Sequence, residues 1–406
     1  MSSSSFDGFP WRRQTPWELP EMYRRLRDQA PVAKAVFSSG QPVWLVSTHD
    51  LVREVLTSPY ISSEHSNPAF PGVFPVRQRR SENGERPKLT YSGMDGREHS
   101  SHRRMVAPDF SRAAADKFRH SVKIAAALQA ADYAGKGPPA DLVTGFARPL
   151  VARTIGTFLG LSAADTAECA RLTDVVLGSG ADTDAVECAS RGLRSVVSEL
   201  LKEKTSVPSA DLLGRLVTRY VKAGMYDHDQ MVRFAASLIT AGLETTANMI
   251  SLSVMTLLEY PHQLAALRSD RSLLPNAVRE LLRYLSVADI VTARVAVAEV
   301  HLGEFTIPEG AGVVALTASA NRDATAFHDP DTLDIRRRAD HHLAFGHGSH
   351  KCLGQHVATV ILECAVGALL HQFESIRLSP LEPNNGQISA GVMCGVDRLS
   401  LAWNTA

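Results

Sequence analysis

Ten residues in the last quarter of the chain, Phe345-Gly346-His347-Gly348-Ser349-His350-Lys351-Cys352-Leu353-Gly354, constrain it more than any other stretch. Three glycines in that span permit backbone conformations and close approaches that a Cβ would obstruct. An apolar run of helical character follows from Val357 to Leu370, so Cys352 lies close to a helix N-terminus, where a thiolate is electrostatically favoured. The loop aims one thiol, and the rest of the chain reads as its enclosure.

Cys352 has three chemical readings. A lone cysteine is commonly a small buried hydrophobe. His347, His350, Cys352 and His356 offer a zinc ligand set, although the glycines and the helix start suit a closed tetrahedral site poorly. The third reading is a thiolate ligand to haem iron, with Phe345 walling the sulfur, the glycines admitting a flat macrocycle and His350 meeting a propionate.

The chain of 406 residues is long enough for a sizeable core, and its 43 basic and 43 acidic side chains give no support for nucleic acid or an anionic membrane as a partner. Five cysteines without CxxC spacing argue against a disulfide framework and for a reducing, cytoplasmic setting. The N-terminus has no basic segment followed by an apolar one, so no secretory signal is expected. The longest apolar region, Phe234 to Leu258, carries Glu244 and Asn248 near its middle. A central carboxylate costs about 2.5–3.5 kcal/mol on membrane insertion, so a buried helix of a large protein is the better reading.

Residues 1–16 read as a flexible polar tail and 17–406 as one domain, since no gap between helical patterns has the character of a linker. A short helix spans Pro20 to Gln29, and β-leaning runs at Val32 to Phe37 and Val43 to Ser47 make a hairpin. Residues 59–93, rich in Pro, Ser, Gly and Arg, form a long loop expected to border a pocket. Helical periodicity dominates from 97 to 285. Short strands separated by Gly303 and Pro308-Glu309-Gly310 follow between about 287 and 320, as a second small sheet. The expected fold is mainly α with two minor β regions.

Three other constellations carry chemistry. Ala241-Gly242-Leu243-Glu244-Thr245-Thr246 places an acid and an alcohol inside the apolar helix, where Thr245 has the spacing to bond back to the carbonyl at 241. Glu280 and Arg283 share a helical face, which by itself suggests an exposed ion pair. His99 and Arg103 project from one face as well, and a solvated basic surface would account for them.

The segment Phe345 to Gly354 resembles the haem-binding loop of the cytochrome P450 family, Phe-Gly-x-Gly-x-His-x-Cys-x-Gly, at every specified position. The other three motifs follow the family's order, so the resemblance covers roughly residues 20 to 406. It implies a helical prism enclosing haem b between the helix at 228–258 and the loop at 345–354, with Cys352 as axial ligand. Phe345, Gly346, Gly348 and Gly354 would shape the haem seat, while His99, Arg103, Arg294 and His350 would meet the propionates. Ala241 and Gly242 would make room over the iron, with Thr245 and Glu244 handling dioxygen and its protons. Glu280 and Arg283 would join Arg337, with Arg336 in reserve, to fix the cysteine loop.

By position in that resemblance, the substrate pocket would draw on the 59–93 loop, the 165–190 region, Leu238, Ala241, Thr245, Ile290, Val291, Val392, Met393 and Cys394. This apolar set suggests an apolar or aromatic substrate of the kind met in actinomycete secondary metabolism. Implied partners are ferredoxin and ferredoxin reductase passing two electrons from NAD(P)H to a monomeric enzyme. Two outcomes stay open, oxygen insertion and oxidative C–C or C–N coupling, besides a haem carrier without turnover. One departure concerns the electron donor: after Gly354 many members read Ala-Pro-Leu-Ala-Arg, whereas this chain has Gln355-His356-Val357-Ala358-Thr359 and lacks that basic residue.

Overall fold

A computed structural model describes residues 6–37, 40–72, 91–177, 182–380, 385–388 and 393–404. In chain order, β1 (Phe6–Phe9), α1 (Glu21–Gln29), β2 (Val32–Phe37), β3 (Pro42–Val46), α2 (His49–Thr57) and β4 (Ile61–Ser62) lead to the helices α3 (Gly96–Val106) and α4 (Arg112–Ala134). After β5 (Ala140–Asp141) come α5 (Arg148–Leu159), α6 (Ala163–Leu177), α7 (Thr183–Ser206), α8 (Leu212–Leu216), α9 (His228–Glu259), α10 (Pro261–Ser269) and α11 (Leu274–Leu285). The strands β6 (Ala293–Ala296), β7 (Val300–Leu302), β8 (Phe305–Ile307) and β9 (Gly312–Ala315) precede α12 (Thr317–Ala320), α13 (Gln355–Gln372), β10 (Ile376–Leu378) and β11 (Ser400–Trp403).

Helix boundaries follow capping chemistry. Ser111, Asp182 and Asp227 accept backbone N–H groups at the starts of α4, α7 and α9, and Gln230 completes a capping box with Asp227. Gly160 ends α5 in the left-handed region, at φ 88°.

The chain divides into two compact units interleaved in sequence: Met1–Ser101 with Pro275–Leu353 and Val392–Cys394, and His102–Leu274 with Gly354–Gly391 and Gly395–Ala406. The chain passes from one to the other within α3, within α11 and after Leu353, and the short segment Val392–Cys394 returns to the first unit.

The first unit is built on a six-stranded sheet ordered β1-β2-β3-β9-β6-β4. Sequence periodicity suggested two separate β patches; β3 and β9 instead pair in parallel from Val43–Gly312 to Val46–Ala315 and make them one sheet. Both faces are covered. Val43, Leu45 and Val314 pack on one side with Phe9 and Phe37, while Val46, Val313 and Ala315 pack on the other with Val52, Val55 and Leu343. That is why β9 reads as an unbroken apolar run.

The expected polar tail is also corrected. Phe6 and Phe9 are buried, β1 pairs in parallel with β2, and Trp11 packs edge-on against Tyr23. Hydrophobic burial by Phe6, Phe9 and Trp11 outweighs the polar composition around them.

In the second unit α13 packs along α4, α6 along α7, and α9 lies against α5, α7 and α13. A small sheet ordered β10-β11-β5 closes its end, a pairing that joins segments far apart in sequence and that periodicity missed. α9 is buried along most of its length, and among the described residues no helix is long and apolar enough to cross a membrane. Most of the 59–93 loop, residues 73–90, lies outside the described residues, as does Val392.

Candidate active site

The cysteine loop is a chain of satisfied amides. Gly346 N–H donates to Leu343 O at 2.8 Å, Lys351 N–H to Gly348 O at 3.1 Å, and Cys352 N–H to Phe345 O at 2.8 Å. Gly346 and Gly348 hold φ of 69° and 71°, in the left-handed region that favours glycine. A Cβ at Gly348 would collide with the carbonyl oxygen of Leu56 on α2, whereas one at Gly346 or Gly354 would meet nothing within 4 Å. The loop is therefore seated on α2 at Gly348 and open at the other two glycines.

Cys352 is exposed, as is Cys188 on α7, whereas Cys169 is buried and Cys364 and Cys394 are half-buried. Burial pushes the Cys169 thiol up to about 12 and Cys364 to about 11, and it raises Cys394 as well. Among the described residues no three of His, Cys, Asp or Glu converge as metal ligands, so the zinc reading has no geometry behind it.

Behind the loop lies a buried ion pair where the spacing alone had suggested an exposed one. Glu280 and Arg283 have fully buried side chains and meet through two bonds, Nε to Oε2 at 2.8 Å and Nη2 to Oε1 at 2.7 Å. Arg337 adds its Nε to Oε1 at 3.0 Å, and Asp334 N–H reaches the same oxygen at 3.1 Å. Arg336, the reserve, is exposed. Three arginine N–H groups and a backbone amide converge on one carboxylate, which compensates its desolvation.

His350 finds a partner that sequence reading did not foresee. Its Nε2 lies 3.0 Å from Asp95 Oδ1, and the His99 ring stacks on it at 4.0 Å between centroids. Asp95 also accepts from Ser62 Oγ at 2.6 Å and Ser63 N at 2.8 Å. Burial pushes the Asp95 carboxyl upward, yet the bonds from His350, Ser62 and Ser63 overcome it and hold the pKa at about 2. Because Asp95 directly precedes Gly96 at the start of α3, it reads in sequence as an ordinary helix-capping aspartate.

Arg294, on β6, gives one N–H to its neighbour's carbonyl, Ala293 O, at 2.7 Å. Burial lowers its pKa to about 10, with Asp95 pulling the other way. A guanidinium so desolvated suits an anionic group. Arg103 is half-buried on α3, four residues after His99.

On α9, Thr245 Oγ1 donates to Ala241 O at 2.8 Å, the back-bond that its spacing permits. Gly242 departs from expectation. Its missing Cβ would sit 3.2 Å from Ile155 Cδ1, so its smallness admits α5, while Ala241 is exposed. Glu244 accepts from Asn248 Nδ2 at 3.0 Å and lies 3.8 Å from Arg148 Nη2, whose Nη1 binds Asp174 at 2.7 Å. Burial raises the Glu244 pKa, with Arg148 and Asn248 opposing it and Asp174 and Asp397 adding to it. Arg148 and Asp174 were missed, because helices α5, α6 and α9 meet only in the fold.

Of the expected pocket residues, Leu238 is buried on α9, and Val291, Met393 and Cys394 are half-buried. Ile290 is buried and packs in the hydrophobic core of the sheet with Phe70, Ala293 and Leu316.

An exposed thiol, open faces at Gly346 and Gly354 and the desolvated Arg294 guanidinium fit a thiolate-ligated haem with its carboxylates. Comparison with known proteins agrees. The sequence model "Cytochrome P450" matches residues 198–396. Vitamin D3 dihydroxylase of Streptomyces griseolus is 37% identical over 397 residues, covering 97% of this chain and 96% of that protein. The chain belongs to the cytochrome P450 family.

As a P450 it is an oxidoreductase whose haem iron receives electrons from NAD(P)H through redox partners. Pentalenic acid synthase of Streptomyces avermitilis is 37% identical over 377 residues, 91% of each chain. The crystal structure of mycinamicin VIII C21 methyl hydroxylase from Micromonospora griseorubida, bound to mycinamicin VIII, superposes with a TM-score of 0.88 at 32% identity, covering 98% of this P450 and 100% of that chain. These relatives are P450s of Streptomyces and Micromonospora, and the chain is similar to each over nearly its whole length.

Proposed function

We propose that this P450 is a monooxygenase that inserts one atom of dioxygen into an apolar or aromatic small molecule of secondary metabolism. The observation that carries the proposal is the exposed thiol of Cys352 at the end of a loop whose amides are bonded in place. Haem b held through that sulfur would supply the dioxygen-activating chemistry, and a thiolate at Cys352 would donate electron density to it. His99, Arg103, Arg294 and His350 offer the cationic and hydrogen-bonding groups for its propionates. Phe345, Gly346, Gly348 and Gly354 shape its seat, and Glu280, Arg283 and Arg337 hold the loop behind it.

Glu244 and Thr245 are the proposed proton-handling pair. A carboxyl whose pKa is raised by burial yields and regains a proton nearer neutrality than an exposed glutamate does. The Thr245 hydroxyl, bonded to Ala241 O, supplies the second exchangeable proton on α9. Leu238, Ala241, Val291, Met393 and Cys394 are proposed pocket residues, and the relatives, hydroxylases and a synthase of small organic molecules, support an organic substrate of that kind. Ferredoxin and its reductase are the proposed electron donors.

The test is turnover under labelled dioxygen with a surrogate ferredoxin and reductase. Labelled product is expected. Unlabelled, coupled product would establish oxidative coupling instead, and NAD(P)H consumption that never exceeds background with any substrate would indicate a carrier. In the same assay Cys352→Ala should abolish the thiolate signature of the reduced, carbon-monoxide-bound protein. Thr245→Ala should keep that signature and yield less product per NAD(P)H.

A further inference from the structure

The first residues of the cysteine loop are held by a side chain outside it. Asn321, fully buried just after α12, accepts the Leu343 N–H on Oδ1 at 2.7 Å and donates from Nδ2 to Ser286 Oγ at 2.8 Å. Its backbone carbonyl accepts Arg283 Nη1 at 2.7 Å. One residue thus touches the buried ion pair, the turn after α11 and the entrance of the loop. Ser286 sits at φ 43°, a conformation that a non-glycine residue holds only when its surroundings enforce it. From Leu343 the path continues through its carbonyl to Gly346 N–H and, beyond the turn, from Phe345 O to Cys352 N–H.

We propose that Asn321 is the positioning residue that transmits the geometry of the Glu280–Arg283 pair to Cys352, so that thiolate ligation depends on the oxygen acceptor at position 321. This rests on Cys352 being the axial ligand. The physical ground is that Leu343 N–H is buried and has its acceptor in that side chain. Removing the oxygen leaves the amide unsatisfied, and the loop can recover a partner only by shifting. The Nδ2 arm to Ser286 is separate, because it steadies the turn and not the loop.

The two arms are distinguished by three substitutions in the haem-loaded protein. Asn321→Asp keeps an oxygen for Leu343 but loses the donor to Ser286 and buries a charge. Asn321→Leu loses both arms, and Ser286→Ala loses only the second. Each is read by melting temperature, by the thiolate signature of the reduced carbon-monoxide complex, and by hydrogen exchange of the peptide spanning Leu343 and Gly346. All three should melt lower. Only Asn321→Leu should lose the thiolate signature and exchange roughly tenfold faster in that peptide. Loss of the signature in proportion to melting temperature across the set would overturn the proposal, as would an Asn321→Leu protein with signature and exchange unchanged. Wild-type protein lacking the thiolate signature would instead overturn the axial-ligand reading, whereas the exchange data would still report whether Asn321 holds the loop.

Discussion

The N–H of Cys352 donates to the carbonyl of Phe345 across 2.8 Å, closing the cysteine loop on itself before α13 begins. That bond makes the position of the thiol a property of the backbone.

Replacing Glu280 tests the foundation. Its carboxylate and the Arg283 guanidinium are both fully buried, so Glu280→Gln leaves two arginines without their countercharge. Breaking a buried pair from one side costs about 3–5 kcal/mol. Chemical denaturation should show that loss, whereas Arg336→Ala, at an exposed side chain, should stay within about 0.5 kcal/mol.

Gly348→Ala tests the seat on α2. A residue with a Cβ is strained at φ 71° by about 1–2 kcal/mol, and here the added carbon also meets Leu56 O. Haem retention and melting temperature should both fall. Gly354→Ala, at φ −79° with no protein atom near the new carbon, should leave the melting temperature nearly unchanged.

Asp95 predicts an acid-side dependence. Its folded pKa, about 2, lies below the ordinary 3.8, so its contribution is complete above 3.8 and disappears as pH falls toward 2. About a third of the side chain is exposed, and solvent screening limits the contribution to at most about 1 kcal/mol. Denaturation of wild type and Asp95→Asn should differ at pH 5 and converge near pH 2, which a flat difference across that range would contradict.

Glu244 predicts the opposite slope. Burial raises its pKa, so the folded protein holds this proton more tightly than the unfolded chain, and stability declines as pH rises from 4.5 through the folded value. Arg148→Met removes the main group opposing burial, so the decline should extend to higher pH, and at neutral pH the variant should lose about 1 kcal/mol or less. Glu244→Gln should abolish this part of the slope. A pH series of denaturation curves separates the three proteins.

Much of this is legible in the sequence. The ten-residue loop, Glu280 with Arg283, and the apolar helix around Glu244 announce themselves through glycine spacing, i,i+3 pairing and periodicity, all of them local. The limits of the long apolar helix, expected at 228–258 and found at His228–Glu259, followed for the same reason. Non-local facts were hidden. Phe6 and Phe9 sit in polar surroundings along the chain, and only β2 gives them a sheet to join. The partnership of His350 with Asp95 spans 255 positions, and Arg148 meets Glu244 across two helices.

By itself, then, the sequence determined which atoms are available: one thiol in a glycine loop, an acid beside an alcohol in an apolar helix, an acid and a base three residues apart. The tertiary structure decided what those atoms experience. Burial turned Glu280 and Arg283 from a surface pair into a fully buried one, set Gly242 against Ile155, and brought Asn321 to the entrance of the cysteine loop. The reason is physical: connectivity and periodicity are properties of neighbours along the chain, whereas desolvation and hydrogen-bond partnership depend on which distant segments the fold brings into contact.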